Sequence, residues 1–458
     1  MKHFLLRYSL IRIKGCPEGF RAADFGMGKS GNPKAPWARL AVMLGMPPES
    51  GLMDIQKGYL DAIATGEVHD PIILDNKTAP CKENIWLGDD IDLEKFPAPL
   101  GHDGDGGRYI QTAGLNIVQT PDGKWTNWST NRAMILDKNT MTGLWIPAQH
   151  NGMIHQMWTK EGKDTPWALA LGVNPAVTTQ AGARCPDWVD EYDQSSKLLD
   201  SSIELVKCET NDLLVPADAE IIIEGYVCKD QFEAEGPFGE YPGYLPDEVN
   251  KTPRQVITAI TFRNNPILPI CLPGVPIDSS HVSMSFFRAS DVVTAFKKAE
   301  LPVIDAMILF ESANHWLVIR VKDDWHKTTG LTTDAFIRLI GDTFWNQHVG
   351  SSAKLVVVGE DIDPSSLRDV TWALATRNHP KLGTYFFEDI HKMGAGTENY
   401  HAANEKIHGE GGLAIYSCLP LQDRVGLPKR RVLSFDENYP DPIKAKVNEN
   451  WTKWGFKE

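Results

Sequence analysis

Two carboxylates, Glu235 and Glu240, stand five residues apart in the run Glu235-Gly236-Pro237-Phe238-Gly239-Glu240-Tyr241-Pro242-Gly243. Pro237 removes a backbone donor and fixes its own φ, and the three glycines allow angles that other residues avoid, so the run cannot be a regular helix. Two acids held on a rigid turn are raw material for acid–base chemistry, because a shared environment can push their pKa values apart. Read alone, the run fits a solvated Gly/Pro turn equally well. A second set of groups is spread along the chain: Asn127, Trp128 and Arg132 in Thr126–Arg132, then Gln149 and His150 after Pro147-Ala148, then Glu191 in Asp190-Glu191-Tyr192. One amide oxygen, one imidazole nitrogen and one carboxylate suit Mg²⁺ or Mn²⁺, above all where phosphate oxygens complete the shell. The spacing is long-range, and a single histidine in a strand-rich segment is more often an ordinary core or surface residue.

Other patterns carry less. His150 and His155 are five apart and do not match the zinc HExxH arrangement. Gly104-Asp105-Gly106-Gly107 is a Gly-rich turn without the strand-turn-helix setting of a phosphate loop, and no GxSxG elbow occurs. Gly359–Pro364 lacks the oxygen pattern of a calcium loop and reads as a strand end followed by a helix start.

The elements that must position these groups change character along the chain. Residues 33 to 65 read as helical, with Ala38, Leu40, Ala41 and Leu44 on one face and a second stretch over Met53–Ala64. Short β-like runs follow at Leu115–Val118, Ala133–Leu136, Ala168–Val173, Ala219–Val227, Gln255–Phe262 and Ile267–Cys271, a spacing that predicts a barrel or sandwich. A helix is expected over Ala289–Ala299, with Ser290 and Asp291 as caps. Then come strands at Ala306–Glu311, Trp316–Val321 and Lys354–Val358 around a helix from Asp334 to Asn346. Met393–Gly412 reads as a polar, Gly-rich lid, and Asp441–Phe456 as an amphipathic tail with Ile443, Val447, Trp451 and Trp454 on one face.

At 458 residues, two or three domains are expected. A net charge of −14 argues against a nucleic-acid or anionic-membrane partner, since phosphate binding needs a local cationic excess. Seven scattered cysteines without a CxxC pair fit a reducing compartment. No apolar run is long enough to span a bilayer. Met1–Gly15 is basic and free of acids, so a mitochondrial address is the alternative to the expected cytoplasmic one.

Assembled, these stretches resemble the UbiD family of prenylated-flavin decarboxylases, most closely its ferulic acid (phenylacrylic acid) decarboxylase branch. The resemblance is carried by TNWSTNRAMILD (126–137), PAQH (147–150), ELVKCETNDLLVPADAEIIIEG (204–225), EGPFGEYPGY (235–244), FRNNPILPI (262–270) and KVNENWTKWGF (446–456), in order and from about Tyr8 onward. It implies an α/β (α+β) fold. Its parts would be a shortened N-terminal α/β domain (1–90), a split β-barrel flavin-binding domain (91–286), a linking helix (287–300), a C-terminal α/β domain (301–440) and a terminal helix (441–458) for oligomer contact. By the same resemblance, Asn127, His150 and Glu191 match the ligands of a Mn²⁺ or Mg²⁺ ion that bridges to the phosphate of prenylated FMN. Trp128 falls where a backbone carbonyl joins a K⁺ site, and Arg132, Glu235 and Glu240 match the catalytic Glu-Arg-Glu network. Gln149, Arg132 and Lys354 are the further cofactor contacts. Lys354 is included because His348-Val349-Gly350 stands where the branch carries its phosphate-contacting lysine.

The resemblance therefore implies a homodimeric or higher homo-oligomeric carboxy-lyase, supplied with cofactor by a prenyl-flavin synthase and acting on a small aromatic acid. Ile146, Tyr241, His281 and His391 are expected at the substrate pocket, where the polar three could hydrogen-bond phenolic hydroxyls. A hydroxybenzoic acid such as protocatechuate or gallate is the first expectation and a cinnamic or ferulic acid the second. A non-catalytic flavin-binding paralogue is the reading from another class.

Overall fold

The structure, a computed structural model, describes residues 11–12, 15–246, 249–346, 349–350, 352–388, 410–428 and 432–456. Its centre is a curled antiparallel sheet. In chain order its strands are β1 (Asn84–Leu87), β2 (Tyr109–Gln111), β3 (Gly114–Gln119), β4 (Thr126–Ser129), β5 (Ala133–Ile135), β6 (Thr140–Gly143), β7 (Thr165–Leu171), β8 (Ile221–Glu235) and β9 (Asn250–Phe262). Their spatial order is β2-β5-β6-β9-β8-β7-β3-β4, with β1 also pairing with β9. The long partners β8 and β9 form the spine. The start of β8, Ile221–Gly225, is buried throughout, as expected for a strand packed on both faces, and its one acid, Glu224, is paired with buried Lys82 (3.1 Å). The β8–β9 register shifts at Glu224/Gly225, where a Cβ on Gly225 would lie 1.9 Å from the Val256 carbonyl oxygen. Only glycine permits that close approach. The spine ends with Glu235 opposite Asn250, so the sheet itself delivers Glu235 to the barrel's end.

Smaller sheets tie distant parts of the chain to this barrel. Arg21–Asp24 runs parallel to Ile267–Ile270, and Glu204–Lys207 lies between Ile72–Leu74 and Leu214–Pro216. The C-terminal sheet has the spatial order Val303–Ile308, Trp316–Val321, Lys354–Val358, Glu410–Ser417, Thr384–Glu388. Its parallel centre and apolar strands pack against the long helix Ser279–Lys298 in one core with Phe286, Val293 and Phe296.

That helix corrects one expectation. It begins at Ser279 rather than near Ala289, and Asp278 caps it, not Ser290 or Asp291. Asp278 Oδ1 accepts from Ser280 N (2.8 Å) and His281 N (3.1 Å), while His281 Nδ1 accepts from Asp278 N (3.2 Å), closing a capping box. Ser290 lies in the helix interior and donates to the Phe286 carbonyl (2.8 Å). The serine-rich first turns hid the apolar period that would have marked them as helical. The strand expected over Ala306–Glu311 spans Val303–Ile308, and the expected Asp334–Asn346 helix is α-helical over Thr333–Gly341 and a π-turn over Asp342–Asn346. Met393–Gly409 of the expected lid lies outside the described residues, and Glu410–Gly412 open a strand. All seven cysteines are free. Among the described residues no helix is long and apolar enough to cross a membrane.

Asp291, on the long helix, accepts from Arg184 N (3.3 Å), and burial pushes its carboxyl up to about 7 despite the Arg184 and Arg288 charges. The folded chain therefore binds this proton more tightly than the unfolded chain, and its stabilising effect fades as pH rises from about 4 through about 7. Asp291→Asn, which keeps an acceptor for Arg184, should gain melting temperature relative to the native chain across that window. A gap that stays constant with pH would refute the assignment.

Candidate active site and metal centre

Arg132 sits on the connector between β4 and β5 and reaches both carboxylates. Its Nε and Nη2 donate to Glu235 Oε1 (2.8 Å) and Oε2 (3.1 Å), a fork matched to a carboxylate, and its Nη1 donates to Glu240 Oε1. Glu235 is fully buried, whereas the Glu240 side chain keeps 35% of its exposure. One acid is thus sealed against the arginine, and the other opens toward solvent. Tyr109, the first residue of β2, donates its hydroxyl to Glu235 Oε1 (2.8 Å), and the Arg132 guanidinium lies 4.7 Å from the Phe238 ring centre. Burial works against the Arg132 charge, but the Glu235 hydrogen bonds and the charges of Glu240 and Glu235 raise its pKa further. Burial, then the Glu235 charge, also pushes the Tyr109 phenol up, so it remains a donor.

The 235–244 loop is braced from outside. Gly236 turns the chain at φ +95°, in the left-handed region. Asp105 Oδ1 accepts from Gly239 N (2.9 Å), and Gly106 N donates to the Pro237 carbonyl (2.8 Å). A Cβ on Gly106 would lie 2.0 Å from the Gly236 carbonyl oxygen, so the Gly104–Gly107 turn is a mould for this loop. On the far side, buried His281 holds the Tyr241 carbonyl through Nε2 (2.6 Å).

The second constellation forms where β4 meets two helix starts. Glu191 opens the helix Glu191–Leu199 and is buried; its Oε1 accepts from Asn127 Nδ2 (2.9 Å) and its Oε2 from Trp128 N (2.7 Å). His150 opens the helix His150–Lys160, with Nε2 3.0 Å from Asp187 Oδ1 and Nδ1 3.6 Å from Glu191 Oε1. Among the described residues, buried Asn127 Oδ1 has no hydrogen-bond partner. An orphaned amide oxygen beside a buried carboxylate and an imidazole is a donor set suited to a hard divalent cation. Among the described residues no group of three or more His, Cys, Asp or Glu forms a metal cluster, so a cation held here would draw on the amide oxygen as well. The surroundings are electronegative: burial and the Asp193 and Glu191 charges push Asp190 up to about 6, although Thr126 N donates to it, and the Glu191 and Asp187 contacts raise His150 against burial. Residues of a strand send N–H and C=O to one side, so the Trp128 carbonyl faces the same side as the N–H bound by Glu191.

The two constellations are joined through residues 127–132 and through Asn131 Nδ2, which donates to Gln149 Oε1 (2.8 Å). The other expected site residues fall as follows. Ile146 and Gln149 are exposed just before the His150 helix, and Tyr241 is half-buried. His281 has both ring nitrogens engaged, by Asp278 and by the Tyr241 carbonyl, so it positions the loop rather than offering a spare donor to a phenol. Lys354 opens a strand of the C-terminal sheet opposite Trp316, and burial lowers its pKa. His391 and His348 lie outside the described residues. Sequence reasoning missed Tyr109, Asp105 and Phe238; the only signal was the Gly-rich turn, which carries Asp105.

Comparison with known proteins gives the chain its family. Residues 72–276 match the model of the 3-octaprenyl-4-hydroxybenzoate carboxy-lyase Rift-related domain, and residues 281–401 that of the C-terminal domain of the same carboxy-lyases. The chain belongs to the UbiD family. Pyrrole-2-carboxylic acid decarboxylase of Pseudomonas aeruginosa is 38% identical over 448 residues, 97% of this chain and 87% of that protein. Ferulic acid decarboxylase 1 of Saccharomyces cerevisiae is 33% identical over 452 residues, 98% of this chain and 88% of the relative. Among solved structures, an evolved dimeric form of the UbiD-class enzyme HmfF from Pelotomaculum thermopropionicum in complex with prFMN superposes with TM-score 0.74 at 26% identity, covering 94% of this chain and 89% of that one. This UbiD chain shares their mixed α/β architecture of curled sheet and C-terminal domain.

Gly106→Ala should drive the loop away from its mould, lowering stability by about 1–3 kcal/mol, as overpacking does. Thermal unfolding followed by circular dichroism checks this; a melting curve equal to the native one would refute the mould.

Proposed function

We propose that this UbiD chain is a prenylated-FMN-dependent, non-oxidative decarboxylase of a small aromatic acid. The observation that carries the reading is one arginine shared by a sealed and an open carboxylate. Glu235, held by Tyr109, fixes the Arg132 fork so that it can orient the substrate carboxyl. Glu240 can receive the carboxyl proton and, once CO2 has left, return it to the carbon that lost it, turning R–COOH into R–H and CO2. Bound, the modified flavin supplies the electron sink that such a carbon requires. Asn127, His150 and Glu191 would hold Mn²⁺ or Mg²⁺, whose charge would offset that of an anionic cofactor, and the orphaned Asn127 oxygen fits that role. Gln149, Arg132 and Lys354 would complete the cofactor contacts, and the Trp128 carbonyl would serve a neighbouring K⁺. A prenyl-flavin synthase would supply the cofactor. Exposed Ile443, Trp451 and Trp454 on the C-terminal segment support self-association through that end.

A hydroxybenzoic acid such as protocatechuate or gallate is the first substrate choice, supported by the polar Tyr241 beside Glu240. Pyrrole-type and cinnamate- or ferulate-type acids are the second, supported by the names of the two relatives. A non-catalytic flavin binder would have no use for the open acid Glu240 on the Arg132 fork.

Two experiments test the reading on protein co-produced with a prenyl-flavin synthase. Glu240→Gln should keep the flavin spectrum and lose CO2 release by at least about a hundredfold, the ordinary weight of acid–base catalysis; undiminished turnover would overturn the mechanism. Glu191→Gln should lose bound divalent metal, read by elemental analysis, and with it the flavin absorbance. Metal retained at the native stoichiometry would remove Glu191 from the centre.

A further inference from the structure

Resting on the reading above, we propose that Arg288, with the Tyr241 hydroxyl, is a second recognition point for the substrate. It would take an acidic or hydrogen-bond-accepting oxygen carried on the ring away from the reacting carboxyl. Arg288 and His281 lie seven residues apart on the helix Ser279–Lys298 and so share a face. That face meets the catalytic loop. His281 holds the Tyr241 carbonyl (2.6 Å), and the Arg288 guanidinium lies 5.7 Å from the Tyr241 ring centre. The His315 ring also stacks on Tyr241, at 6.2 Å and 30°. Tyr241 follows Glu240 directly, so their Cα atoms are about 3.8 Å apart and the cluster borders the reacting centre.

The charge balance of this cluster is incomplete. Arg132 is spanned by two carboxylates, and Arg254, Arg320 and Arg377 pair with Glu233, Asp305 and Asp361. Half-buried Arg288 has no hydrogen bond and no carboxylate within ion-pair distance among the described residues; its guanidinium lies against the Tyr241 ring, and Asp291 feels its charge from further away. The Tyr241 hydroxyl likewise has no protein partner among the described residues. A guanidinium taken partly out of water without a counter-ion is unfavourable, and an incoming oxygen acceptor relieves that penalty. Arg132 then takes the carboxyl that leaves, and Arg288 selects for what the ring carries elsewhere. Phenolic oxygen and a second carboxylate share this chemistry.

The test uses holoenzyme with benzoate, 4-hydroxybenzoate and terephthalate as probes. It reads kcat/KM from CO2 release and Kd from flavin-fluorescence titration. The native enzyme should prefer an oxygen-bearing acid over benzoate by about tenfold or more, the weight of one charge-assisted hydrogen bond. Whether 4-hydroxybenzoate or terephthalate is preferred identifies the source of the oxygen. Arg288→Met should collapse that ratio toward one, and Arg288→Lys should restore part of it. A ratio unchanged in Arg288→Met, or all acids weakened equally, would make Arg288 a packing residue and overturn the proposal, as would a native enzyme without discrimination in either readout. Discrimination in Kd that Arg288→Met removes, without CO2 release from any acid, would sustain the recognition point and sink the decarboxylase reading instead.

Discussion

Glu235 is a carboxylate with no exposure to water, and much of the molecule is arranged around satisfying it. An ionised carboxylate in that position is tolerable only when paired and hydrogen-bonded. The Arg132 fork supplies the pair and Tyr109 the further donor. Three stretches far apart in the chain must therefore arrive together: the first strand residue Tyr109, the connector carrying Arg132, and the end of the long strand carrying Glu235. A curled sheet does this economically, since β2 and β5 are neighbours and the β8–β9 spine sets how far Glu235 projects. Glu240 then shares the arginine without sharing the burial, and that difference separates the two acids chemically.

Rigidity at the loop comes from backbone contacts on both sides rather than from its own sequence. Asp105 and Gly106 clamp Gly239 and Pro237, while His281 in the first turn of the long helix holds the Tyr241 carbonyl. The helix is itself fixed by a capping box in which the same His281 participates. The C-terminal part of the chain thereby reaches the 235–244 loop through one helix face, and Arg288 on that face brings to it a charge that has no carboxylate partner among the described residues. The metal-type centre is linked to the acid pair through residues 127–132, so a cofactor bound at one would be registered against the other.

What the sequence by itself determined was which groups are able to do chemistry and the gross element plan. Gly, Pro and two acids excluded a regular helix and left an acidic turn, β-branched runs such as Ile221–Ile223 read as buried strands, and the strand Lys354–Val358 fell within the bounds read from its composition. Motif resemblance then identified Asn127, His150 and Glu191 as one set, which local spacing could not do. Tertiary structure decided everything that depends on convergence. Tyr109 carries no local signal and Asp105 only that of the Gly-rich turn around it, because a tyrosine opening a strand and an aspartate in such a turn are ordinary until folding brings a buried carboxylate and a loop amide to them. His281 read as a spare pocket donor, yet the capping box and the Tyr241 carbonyl occupy both its nitrogens. The start of its helix was hidden for the same reason: serines near an N-terminus satisfy backbone groups and interrupt the apolar period. Hydrogen-bond partners and unpaired charges are properties of neighbours in space, and neighbours separated by a hundred residues are fixed only when the sheet forms.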